Sequence, residues 1–369
     1  MGAGDGKVVG MTKIVDHGDP SQRWNLVILS EGYQAGQLDQ FHADAQNFVK
    51  TMYQTPPYDE TWCGINVYRI DVSSTDSGAA DPVACGGTGY TPHTYFDATF
   101  CGDGVIQRLL TVNDSTVHTV VNAQMPQAHM SLVIVNSNEY GGSGGSVATF
   151  SLAGGADEIA LHEMGHTAFG FADEYCYYQG CGMDVGHDHY GGGEPGQPNI
   201  TANSNRATIK WANLIAPSTA MPTMSNPDCA QCNNGANPVA GDTVGAFEGA
   251  GYYHCGLYRG QYACRMRALN NPYCAVCQQV IRQTLAPFMP SWIYGTSTIG
   301  AGQTQNWWLW WPVDPGFEVI GVQAVTPGDE LDTESPGIQR NADGSTTYFL
   351  SVVNPGTSDV VFHFRGSSL

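Results

Sequence analysis

The chain has 369 residues, enough for one large domain and a small one or two of ordinary size, and 42% of them are hydrophobic. Thirty-four acidic against 14 basic residues give a formal net charge of −20. Such a surface repels phosphate backbones and anionic lipid heads, which argues against nucleic-acid binding and membrane association, and no apolar run reaches the length of a membrane span.

The opening residues Met1 to Gly6 have neither the basic nor the apolar region of a signal peptide. Eleven cysteines, few lysines and abundant Gly, Asn, Ser and Thr suit an oxidising compartment. The expectation is a secreted or periplasmic protein whose signal peptide is absent from this chain.

Trp24 to Ser30 is a short apolar run, expected as a buried strand. Gly36 to Gln54 follows with Leu38, Phe41, Ala45, Phe48, Val49 and Met52 at helical spacing, and Ile65 to Val72 alternates like a half-buried strand. Strand, helix, strand implies a right-handed crossover in a partly parallel sheet. Ser73 to Asp103 has the composition of a long surface insertion, with Cys85 and Cys101 placed to pin it by a disulfide. A helix interrupted near Asn113 is expected over Gly104–Ala123, then strands over His129–Val135 and Val147–Leu152. The glycine-rich Tyr140–Ser146 lacks the ending of a phosphate loop. It reads either as a turn or as a place where a polypeptide approaches and pairs with the following edge strand.

Asp157 to Tyr175 carries His162-Glu163-x-x-His166. Residues four apart share one face of a helix, so both imidazoles can meet one tetrahedral ion, and Glu163 projects where it can take a proton from an attacking water. Asp157 suits the N-cap, Ile159, Ala160, Leu161, Met164 and Ala168 the buried sides, and Gly170 the left-handed turn that ends the helix. A third ligand is still needed. In the pattern H-E-x-x-H-x-x-G-x-x-H it stands three residues beyond the glycine; here the glycine, Gly170, comes one residue late, and three beyond it is Asp173. Glu174 is the rival; adjacent carboxylates in an extended segment point apart, so one ligates and the other supports.

Beyond Tyr175 the chain is irregular to about Gly251. Asp184, His187, Asp188 and His189 read as a solvated loop rather than a second ion site, and Asn203–Leu214 as a short structured element. Met266 lies in a turn-like context between Cys264 and Cys274, before a helix near Gln278–Leu285. Cys229-x-x-Cys232 and Cys274-x-x-Cys277 are too far apart for the usual four-cysteine zinc spacing, so disulfides around the Met266 turn are expected. From Pro290 the character changes: Phe317–Ala324, Thr346–Val353 and Asp359–Phe364 alternate as strands between turns, implying a small β-sandwich over 291–369. Trp292, Trp307, Trp308, Trp310 and Trp311 offer either a glycan contact or packing, and packing is the expectation.

With the segments L-V-I-L-S-E-G-Y, N-V-Y-R-I-D-V-S-S, V-N-S-N-E-Y-G-G-S-G-G, H-E-M-G-H-T-A-F-G-F-A-D-E-Y and C-R-M-R-A-L-N-N-P-Y-C-A-V-C, residues 1–290 resemble the IgA-peptidase family of zinc metallopeptidases, related to metzincins. The resemblance implies an α/β, metzincin-like domain with a twisted mixed sheet and an active-site helix. It also implies one Zn2+ held by His162, His166 and the Asp173–Glu174 pair, a catalytic Glu163, and Met266 in a turn beneath the ion. Immunoglobulin specificity does not carry over. The expected activity is hydrolysis of peptide bonds in a protein or peptide substrate, with Tyr258, Tyr262 or Arg267 stabilising the oxyanion. Two other readings stay open: a binding module without turnover, against which the intact Glu163 argues, and a hydrolase of a small amide or glycoconjugate.

Overall fold

The computed structural model describes residues 2–178, 180–181, 186–233, 235–289, 291–311, 318–326 and 328–368. Two compact units are present, Met1–Phe288 and Met289–Leu369. The first is built on a six-stranded mixed sheet. Strand β1 (Gly6–Val15) runs antiparallel to β3 (Ile65–Ser74), and β3, β2 (Trp24–Glu31), β4 (Met130–Val135) and β6 (Ala148–Ser151) are successive parallel neighbours. The two-residue β5 (Gly142–Ser143) closes the far edge antiparallel to β6.

Both faces of this sheet are covered, which is why β2 and β4 are mostly apolar and buried along their whole length, Asn25, Ser30, Glu31 and Ser131 included. Leu26 and Ile28 face the cluster that contains Phe41, Phe48 and Met52 of helix α1 (Leu38–Tyr53) and Tyr58 of the short α2 (Tyr58–Thr61). Val27 and Leu29 face the opposite cluster, with Val117 and Val121 of α3 (Asp114–Gln124) and Phe96 and Phe100 of the insertion. Each such side chain contributes about 1.5–3 kcal/mol on full burial. The remaining helices are α4 (Ala156–Phe169) and α5 (Ala275–Leu285), and a smaller antiparallel sheet joins β7 (Ile200–Thr201), β9 (Tyr253–Arg259) and β8 (Phe247–Ala250).

Several expectations are corrected. The β3 strand is buried along nearly its whole length, because β1, absent from the sequence reading, covers its edge. Its polar residues are paired, Asn66 with Asn25 and Arg69 with Asp71. The helix expected over Gly104–Ala123 is confined to α3, where Asn113 caps Thr116 N–H at 3.1 Å. The backbone before it pairs elsewhere instead, Thr111 N–H with the Thr99 carbonyl and Leu110 N–H with that of Gly142. The β6 strand is not an edge, since β5 covers it, so direct pairing of a polypeptide with β6 is excluded.

Disulfides join Cys85 to Cys101, Cys181 to Cys232 and Cys229 to Cys255. The first was expected; the other two split the Cys229–Cys232 pair, and Cys264, Cys274 and Cys277 around Met266 are unbridged. These bridges fit an extracellular location. Among the described residues no helix is long and apolar enough to cross a membrane.

The second unit contains two three-stranded antiparallel sheets. One orders β10 (Ser291–Ile299), β15 (Val360–Ser368) and β12 (Glu318–Ala324); the other orders β11 (Thr304–Trp311), β14 (Thr346–Val353) and β13 (Asp332–Arg340). Ile299, Val360, Phe362 and Phe364 of the first share one cluster with Leu350 and Val352 of the second. Alternation along β11 splits the tryptophans. Trp307 packs on Phe362 and Phe364 and Trp311 on Tyr348, whereas Trp308 and Trp310 are exposed, so packing accounts for only part of the group. The side chain of Trp292, and the residues Asp184, Pro290 and Phe317, lie outside the described residues.

Candidate metal centre

Helix α4 starts from the left-handed Gly155 rather than from Asp157, which sits in the first turn and accepts a hydrogen bond from the Thr51 hydroxyl. It ends at Gly170, whose φ of 64° suits glycine, with the N–H groups of Gly170 and Phe171 donating to the His166 and Gly165 carbonyls. This turn carries Asp173 back towards the helix.

His162 Nε2 and His166 Nε2 lie 3.1 Å apart, and Asp173 Oδ1 lies 3.1 and 3.4 Å from them. An ion with ligands at about 2.0–2.2 Å in tetrahedral geometry requires its donor atoms about 3.3–3.6 Å apart. The triangle is close to that. Each imidazole is oriented by its other nitrogen: His162 Nδ1 faces the Arg265 carbonyl at 3.0 Å and His166 Nδ1 the Phe171 carbonyl at 2.8 Å. With those N–H groups donating, the Nε2 lone pairs point at each other and at a carboxylate oxygen. Asp173 Oδ1 is buried without a hydrogen-bond partner, while Oδ2 accepts from the Tyr252 hydroxyl. Three acceptors converging on one point fit a cation. The electrostatics of the group favour positive charge here, whether a proton on an imidazole or a cation. Burial opposes charge on all three groups, yet Asp173 is held well below the usual carboxylate range by the facing imidazoles, and His166 is pushed up to about 9 chiefly by Asp173.

Glu163 is buried beside this triangle, and burial raises its pKa against the pull of His162 and His166. The glycine-rich stretch explains its room. A Cβ on Gly142 would meet Glu163 Oε1 at 3.1 Å, and one on Gly144 would meet His166 Cβ at 2.4 Å. Met266 is fully buried beneath the helix, with its sulfur where a side chain at Gly165 would be. Glu174 turns the other way: Asn199 Nδ2 donates to its Oε1 at 3.0 Å, and its backbone N–H holds the Met266 carbonyl at 2.7 Å.

A cleft of about 600 Å³ opens over His162, His166 and Asp173. Arg267 lines it, but Tyr258 and Tyr262 do not; the Tyr262 hydroxyl donates to the Gly235 carbonyl, which removes it as an oxyanion donor. The lining instead includes Arg108, Tyr140, Tyr175 and Tyr252. Arg108 is exposed, and both it and Glu163 act electrostatically on Tyr140. No local pattern marks Arg108 in the sequence; it reaches the cleft because its neighbours pair with Gly142. The local signal of the Met266 contact is Gly165 within H-E-M-G-H, a glycine where a helix prefers alanine.

No curated protein matches the chain. A family model described as IgA Peptidase M64 matches residues 12–237 and 230–285, which span both histidines, Asp173 and the Met266 turn. The chain therefore belongs to the IgA peptidase M64 family and is a metallopeptidase.

Proposed function

We propose that the chain is a secreted or periplasmic zinc-dependent endopeptidase acting on protein or peptide substrates, with Glu163 as general base. The observation that carries this reading is the convergence of three acceptor atoms, one of them a buried and otherwise unpartnered carboxylate oxygen, next to a buried glutamate at the floor of an open cleft. His162, His166 and Asp173 would hold the ion. Zinc held there would supply Lewis acidity, bringing the pKa of a water down towards about 7 and polarising the scissile carbonyl.

Glu163 then takes the proton of the attacking water and returns it to the leaving amine, so no covalent acyl intermediate is needed. Arg108, Tyr140 and Arg267 are the groups in the cleft able to meet the negative charge that develops on the carbonyl oxygen. Tyr252 fixes Asp173 through Oδ2, leaving Oδ1 for the ion. Residues 291–369 are proposed as a β-sandwich accessory domain.

Digestion of a peptide library tests the reading. New amino termini should appear with wild-type protein, disappear with chelator, and fall about 10²–10⁴-fold with Glu163→Gln, which keeps the ligands and removes the base. A metal-loaded Glu163→Gln protein with wild-type turnover would refute the assigned base, and activity confined to small amides would move the substrate class.

A further inference from the structure

Behind the first triangle lies a second convergence of ligand-type groups. Glu174, Cys264, Cys274 and Cys277 are all buried, and each offers one ligand atom within 4.8 Å of the others. Cys264 Sγ and Cys277 Sγ are 3.7 Å apart, and Glu174 Oε1 lies 3.5 Å from Cys277 Sγ and 3.8 Å from Cys274 Sγ. Tetrahedral zinc with Zn–S about 2.3 Å separates two sulfurs by about 3.8 Å and a sulfur from an oxygen by about 3.6 Å. Glu174 Oε2 is buried with no hydrogen-bond partner.

Local structure favours thiolates here. Cys274 is the N-cap of α5 and Cys277 lies in its first turn, where the helix dipole stabilises negative charge. The Cys274 N–H also points at Cys264 Sγ, at 3.3 Å. Six of the other eight cysteines are disulfide-bonded, yet these three, in mutual contact, are not.

We propose that Glu174, Cys264, Cys274 and Cys277 form a second metal site, a buried zinc centre of three thiolates and one carboxylate. Binding releases the three thiol protons to solvent. The surplus negative charge faces Arg259, a buried cation acting on Glu174. The site ties together what positions the first ion. Glu174 follows Asp173 directly, and Cys264 precedes Arg265, whose carbonyl orients His162, and Met266, which underlies the helix. The two adjacent carboxylates thus serve two different ions.

The test uses wild-type protein and a His162→Ala/His166→Ala variant, both purified without reductant and analysed for zinc. About two ions per chain are expected in the wild type and one in the variant. Cobalt replacement should give a sulfur-to-cobalt charge-transfer band in both, which a site of two imidazoles and a carboxylate cannot produce. Recording that band on the wild type makes the test independent of how the variant folds. One ion in the wild type without the thiolate band, or a disulfide mapped between any two of the three cysteines, would overturn the proposal. One ion in both proteins, with the band, would support it and remove the proposed catalytic site instead.

Discussion

Gly165→Ala isolates the contact between helix α4 and Met266. A Cβ at this position would lie 2.6 Å from Met266 Sδ and 3.1 Å from both Met266 Cε and Phe171 Cδ2. Non-bonded heavy atoms sit comfortably at about 3.5–4.0 Å, so the sulfur has to retreat by about 1 Å. Met266 is fully buried, and its carbonyl is anchored by the Glu174 N–H, which limits that retreat. Overpacking of this kind costs about 1–3 kcal/mol, whereas alanine in place of a helical glycine returns about 0.5–1 kcal/mol. Overpacking is the larger effect, leaving a net loss of up to about 2.5 kcal/mol. At about 2.1 cal/mol/K per residue over a unit of this size, Tm falls by up to roughly 4 °C. Calorimetry on the metal-loaded protein measures it, with Gly145→Ala, where a Cβ has nothing within 4 Å, as the neutral control. Combining Gly165→Ala with Met266→Ala should cost less than the sum of the two, because the clash is gone. A Tm that rises in Gly165→Ala, or strict additivity in the double variant, would refute this packing.

Asp173→Ala should lose the ion bound by His162 and His166 and keep the sulfur-to-cobalt charge-transfer band, while Glu174→Ala should keep the histidine-bound ion with reduced activity; cobalt spectra of both variants, which tell the two ions apart, decide, and loss of the histidine-bound ion in Glu174→Ala instead would move the ligand to Glu174. Gly144→Ala places a methyl 2.4 Å from His166 Cβ and 2.9 Å from the Glu163 carbonyl, so kcat/KM should fall by at least about tenfold, as expected when a metal ligand loses its support. Removing Met289–Leu369 should leave a soluble protein that retains metal, because residues 1–288 contain their own clusters of buried residues; a molten product by near-ultraviolet circular dichroism would contradict this.

Local order was legible wherever a short-range rule acts. The strands at Trp24, Met130 and Ala148 were marked by short runs rich in apolar residues, α1 by its spacing, and the end of α4 by Gly170. The spacing of His162, Glu163 and His166 puts them on one side of a helix whatever surrounds it, and the turning glycine brings Asp173 within reach. These depend only on backbone geometry.

What the chain meets far from itself was decided by tertiary structure. The β1 strand exists because β3 has an edge to pair with, and residues before α3 are extended because Thr99 and Gly142 compete for their hydrogen bonds. Arg108 reaches the cleft through that pairing, and Tyr262 leaves it because its hydroxyl finds the Gly235 carbonyl. Asp173 and Glu174 are neighbours in sequence, and spacing says only that they point apart. Which faces the histidines and which the cysteines is set by the anchoring of this segment to Tyr252, Asn199 and Met266, partners 25 to 92 positions away along the chain, so no local pattern records it.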